Sequence, residues 1–165
     1  MLYVVAFPHL APALLAQIEA IRTQHSEHAN RIAAHITFVF GTADPVDAVT
    51  ARLVQAARRP AFTVRFGPAI PGEDSDGHYA FLPATEPAGT LRDIYRTLNP
   101  HPSRPADDFV AHITLANSPD RSGIEPALAR AATLPLPAEG TIDALVLLRQ
   151  SEHRLDRVAA FKLDA

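Results

Sequence analysis

At 165 residues, with 47% apolar and 20% charged side chains, the chain can bury a sizeable core and reads as one domain spanning 1–165. A formal charge of −3 argues against a nonspecific grip on long nucleic acid, which needs a clear excess of Lys and Arg. With no cysteine, disulfide frameworks, thiolate metal sites and cysteine nucleophiles are excluded, and a reducing cytoplasm is the expected compartment. The start, Met1 to Phe7, lacks a basic segment and stops at Pro8, and no apolar run reaches the roughly 18 residues of a membrane span. A soluble protein with no membrane partner is expected.

In chain order, Leu2 to Phe7 is a continuous apolar run and predicts a buried strand. Pro12 suits a first helical turn, and Leu14, Leu15, Ile18 and Ile21 recur at helical spacing. That helix should fray near Gln24 to Asn30, where His25 and His28 read as a solvated end rather than as a metal pair. His35 to Phe40 predicts a strand closed by Gly41. Asp44-Pro45 opens a helix with Val46, Val49, Leu53 and Val54 as its stripe, stopped by Pro60. Phe62 to Phe66 alternates as a strand, and 68–77 reads as a mobile surface connection. His78 to Leu82 is a strand ended by Pro83. Leu91, Ile94, Tyr95 and Leu98 then mark a helix, followed by a long loop to Asp108. Phe109 to Ala116 predicts another strand, and Ile124, Leu128 and Ala131 a further helix. Thr141 to Leu148 and Arg157 to Leu163 read as a final antiparallel pair, joined by a polar turn in which His153 and Arg154 are solvated.

Two tetrapeptides stand out: His35-Ile36-Thr37-Phe38 and His112-Ile113-Thr114-Leu115. On a strand, His35 and Thr37 share one face while Ile36 and Phe38 take the other, and the same parity holds in the second copy. Each motif thus sets an imidazole and a hydroxyl opposite a core-facing apolar pair. The histidines are 77 positions apart, and the same offset carries Leu14 to Leu91, Ile18 to Tyr95 and Ile21 to Leu98. Each half therefore reads strand, helix, His-x-Thr strand, helix, strand, over about 1–70 and 77–165. The predicted fold is α+β and bilobal, with two pseudo-symmetric lobes around a central cleft lined by the motif strands.

That arrangement suits phosphate-ester cleavage. In-line attack needs a base for the water and an acid for the leaving oxygen, and two imidazoles with pKa near ~6.5 can supply both. The threonine hydroxyls can donate to non-bridging oxygens. His35, Thr37, His112 and Thr114 are the candidate catalytic residues, with no metal and no cofactor required. Arg149 and His9 are further candidates for lining the substrate pocket.

With Phe109-Val110-Ala111-His112-Ile113-Thr114-Leu115-Ala116 around the second copy, the paired motifs resemble those of the 2H (two-histidine) phosphoesterases, and within them the bacterial 2′-5′ RNA ligase family. The resemblance spans nearly the whole chain. It implies a bilobal α+β fold, metal-independent action on 2′,3′-cyclic phosphate ends or 2′-5′ linkages, and functional roles at His35, Thr37, His112 and Thr114. A monomer taking a small cyclic phosphate nucleotide or an RNA terminus is the implied assembly and partner. Two departures are visible: Ala111 stands where relatives often have Pro, and Asn117 where many RNA-acting relatives have a basic residue.

Other chemistries lack their parts. There is no Gly-x-Ser-x-Gly turn, the seven glycines are too scattered for a phosphate loop, and no carboxylates crowd the motif strands. The alternative reading is a non-catalytic module that captures a nucleotide or RNA phosphate in the same cleft.

Overall fold

Alternating burial builds the first sheet. Leu2, Val4 and Ala6 of β1 (Leu2–Ala6) are buried toward the helices, and β1 runs antiparallel between β2 (Ile36–Thr42) and β8 (Ala144–Gln150), with β9 (Leu155–Lys162) outside β8. The structure, a computed structural model, describes residues 1–102, 105–152 and 154–164. The second sheet has the order β4 (Ile70–Asp74), β5 (Gly77–Thr85), β3 (Phe62–Phe66) and β7 (Ala138–Ile142), with β6 (His112–Ser118) paired to β5. Four helices complete the fold: α1 (Pro12–His25), α2 (Val46–Ala57), α3 (Thr90–Leu98) and α4 (Glu125–Ala131). Among the described residues no helix is long and apolar enough to cross a membrane.

The repeat is real in element order but interlaced in space. Helices α2 and α3 cover the first sheet, whereas α1 and α4 cover the second. Strand β3, from the first half, joins the second sheet; β8 and β9, from the second half, join the first. The expected division at about 70–77 therefore does not coincide with the two lobes. Leu14, Ile18 and Ile21 and their counterparts Leu91, Tyr95 and Leu98 are all buried, each set facing the lobe built around the other motif.

Several element assignments change. The stretch 68–77 holds β4, an edge strand in which Pro71 is tolerated because an edge leaves N–H positions unpaired. Pro83 lies inside β5, where its carbonyl accepts the Gly67 N–H. The single late strand expected over Thr141–Leu148 is two, β7 and β8, because the chain passes between sheets at Asp143. Phe109 is not in β6; its ring stacks on Tyr95 at 4.2 Å and lies tilted 5.8 Å from Phe38, inside the first lobe.

Both motif strands carry a bulge immediately after the threonine. Val5 pairs with Thr37 and Val4 with Val39, leaving Phe38 extra; Phe81 pairs with Thr114 and Ala80 with Ala116, leaving Leu115 extra. Two successive side chains, Phe38-Val39 and Leu115-Ala116, consequently turn into the core. Gly41 does not end β2: at φ 71° it carries the strand through a second irregularity, at a backbone angle that side-chain-bearing residues avoid.

Candidate active site

His35 immediately precedes β2 and His112 opens β6. Ile36, Phe38, Ile113 and Leu115 are completely buried, while His35, Thr37, His112 and Thr114 stay half-buried on the opposite face. The parity read from the sequence therefore holds. On the first sheet this face continues through Val5, Val146 and Leu148, which form a small apolar cluster with Tyr3 and Phe7.

The two imidazoles are held alike. His35 Nδ1 lies 2.7 Å from the Ala33 carbonyl oxygen, and His112 Nδ1 lies 2.7 Å from that of Val110. A carbonyl can only accept, so Nδ1 carries the proton and Nε2 is the nitrogen through which a proton is taken up or released. A phenylalanine borders each ring: Phe7 at 6.2 Å from His35, and Phe81 at 4.5 Å from His112. Phe81 reaches this position because Gly72 lies beneath it; a Cβ there would fall 2.3 Å from the ring.

Burial pushes the His35 pKa down to about 4. Its bond to Ala33 and the Glu19 carboxylate pull upward, whereas the charges of Arg22 and His112 push it lower.

Behind the motif strands sits an ion pair, its arginine buried and its glutamate partly exposed, that the sequence reading missed. The Arg22 guanidinium, 2% exposed, donates to the Thr114 carbonyl at 3.1 Å, to the Ile32 carbonyl at 2.9 Å and to Glu19 at 2.6 Å. Glu19 also accepts the Ala34 N–H at 2.5 Å. One pair on α1 therefore holds the residue before His35 and the carbonyl of the second motif's threonine. At the equivalent place on α3, 77 positions on, Asn99 donates to the Phe38 carbonyl of β2 at 3.0 Å. The signal was present: Arg22 lies four residues after Ile18, on the apolar stripe of α1.

The other named residues are held by different contacts. Arg149 pairs with Leu2 and alternates with Leu145 and Leu147, which puts it on the helix-covered face of the first sheet and not on the cleft face. His9 pairs through its backbone with Thr141, and its Nε2 lies 2.9 Å from Asp143. His28 faces Glu27 at 3.4 Å, and Arg154 pairs with Asp156; His153 falls outside the described residues. Among the described residues no group of three metal-ligating side chains comes together. Asn117 donates to Glu27 at 3.3 Å, so this position carries an amide beside a carboxylate and no cation. Opposite it, burial and then Asp74 raise the Tyr79 hydroxyl to about 12, with Asp76 and Glu27 adding to the effect.

The sequence profile of the 2′-5′ RNA ligase superfamily matches residues 10–154, which include both motifs. The chain belongs to this superfamily. E. coli LigT complexed with ATP is similar at 21% identity over 99% of this chain and 97% of that one, with a TM-score of 0.64. TT0787 of Thermus thermophilus is similar at 18% identity over 98% and 97%, also with a TM-score of 0.64. Usb1 of Kluyveromyces marxianus is more distant, at 13% identity over 99% and 98%, with a TM-score of 0.52. No curated protein sequence matches. At these identities the likeness is one of fold, and it extends over nearly the whole of each chain.

Proposed function

We propose that this superfamily member is a metal-independent phosphodiesterase acting on 2′,3′-cyclic phosphate ends of a nucleotide or RNA, or on 2′-5′ linkages. The observation that carries the reading is the matched tethering of His35 and His112, each through Nδ1 to a carbonyl two residues earlier, with a threonine two residues later on the same face. E. coli LigT has been solved with ATP and with 3′-AMP, and a shared fold is consistent with a nucleotide phosphate in this cleft.

In the reaction, water attacks phosphorus and one ribose oxygen leaves. His35, kept neutral by burial, takes the water proton on Nε2; a phosphate between the rings raises its affinity for that proton. The leaving oxygen receives a proton from Nε2 of a protonated His112. Thr37 and Thr114 donate to the non-bridging oxygens as charge accumulates. Proton exchange with solvent restores both rings.

The second reading is phosphate capture in the same cleft without turnover. The two part on a panel of cyclic and linear phosphodiesters assayed in the presence of a chelator. Turnover should persist there. His35→Ala or His112→Ala should each lower it by about 10²–10⁴-fold, and the double variant scarcely further, since the groups act as a unit. Binding without turnover would establish the capture module, and loss of turnover to the chelator would overturn metal independence.

A further inference from the structure

The second sheet carries a polar hollow on the face that bears His112 and Thr114. Phe81 stands opposite Thr114 and Pro83 opposite His112, so Thr85, two residues on, alternates onto the same face of β5. Arg65 pairs with Thr85, and Glu139 pairs with Arg65, which sets all three side by side. With Thr63, Glu86 and Pro87 they line a space of about 530 Å³. Two strand spacings and two residues separate Arg65 from His112, roughly 12 Å along the sheet.

The functional ends of this lining are unequal. Glu86 is committed, accepting the N–H of Ala88 at 2.6 Å and of Leu91 at 3.1 Å. The Thr85 hydroxyl donates to the Arg65 carbonyl at 3.3 Å. Arg65 and Glu139 are direct cross-strand neighbours of opposite charge, yet no ion pair joins them. Among the described residues neither side chain has a hydrogen-bond or ionic partner.

We propose that this hollow is a base-binding subsite, in which Arg65 and Glu139 read the edge of the nucleobase whose own ribose carries the phosphate held by the two motifs. The inference rests on the cyclic phosphodiesterase reading and adds to it a preference among nucleotides. A second phosphate is the poorer occupant, because the single guanidinium stands between two carboxylates. A base bearing an amino group beside ring acceptors suits the pair: Glu139 accepts from the amino group and Arg65 donates to a ring nitrogen or carbonyl. Guanine offers both edges. Uracil has no amino group, and its carbonyls would oppose Glu139.

The test is a titration of the His112→Ala protein with guanosine 2′,3′-cyclic phosphate, uridine 2′,3′-cyclic phosphate and base-free ribose 2′,3′-cyclic phosphate, with turnover of the same three followed on the unaltered protein. The guanosine form should bind about 10-fold or more tightly than the other two, in line with one well-made base contact. Adding Arg65→Ala or Glu139→Gln should bring its affinity down to that of the base-free ligand. Equal affinities for all three, or equal weakening of all three by the variants, would overturn the subsite even if turnover is found. A variant effect confined to ligands with an additional phosphate would replace it with a phosphate subsite. Base discrimination in binding with no turnover of any ligand would leave the subsite standing and remove the hydrolytic reading instead.

Discussion

At the scale of residues, the burial of the His35 imidazole has a cost in stability. Its pKa of about 4, set mainly by burial, lies below the ordinary value of 6.5, so between those values the unfolded chain binds the proton that the folded chain refuses. Stability is then complete above about pH 6.5 and falls as the pH drops toward 4, by at most about 3 kcal/mol from this group. Urea unfolding at pH 7 and pH 4.5 should show that loss, and His35→Gln, which cannot titrate, should flatten it. An unchanged acid sensitivity in that variant would place the loss in other groups. The motif residues could be read from the sequence because strand parity alone separates Ile36 and Phe38 from His35 and Thr37. Phe81 and Gly72 could not, since a cross-strand ring contact depends on a register that no local pattern states.

At the scale of elements, the motif strands are placed by what reaches them from the other half of the chain. The guanidinium of Arg22 satisfies three acceptors at once, a fork that the single ammonium of a lysine does not reproduce. Arg22→Lys should therefore loosen the spacing between the motifs. We expect kcat on the best cyclic phosphodiester to fall about 10-fold or more while KM changes less, as for a positioning residue. A KM effect with kcat intact would assign Arg22 to binding. Helical stripes and motif strands were legible because their periodicity is strong. β4 was not, because Ile70-Pro71-Gly72-Glu73-Asp74 is polar and proline-containing, and becomes a strand only through its ladder with β5. β7 and β8 merged in the sequence because Asp143 is one polar residue in an apolar run, and only the two sheets reveal it as a crossing.

At the scale of the whole molecule, the acidic balance is also local. Glu27, Asp74 and Asp76 gather around Tyr79 and Asn117, where β6 leaves the motif, and a polyanion continuing in that direction meets repulsion. Affinity should consequently depend on about one or two phosphates, with a log–log salt slope of roughly −0.7 for each. Titrating the His112→Ala protein with a nucleoside cyclic phosphate and an oligonucleotide ending in the same group, across a range of salt, measures this directly; a steep slope would restore long RNA as the substrate. The interlacing of the halves has a further consequence, for assembly. Residues 1–66 supply two strands of the first sheet but send α1 and β3 to the second, so neither half owns a lobe. A chain cut at 67–69 would give two fragments that each expose sheet edges shaped for the other. Mixed, they should reconstitute one active particle; kept apart, each should seek a second copy of itself. The boundary between the two motif strands is thus also what makes the two halves inseparable as folding units.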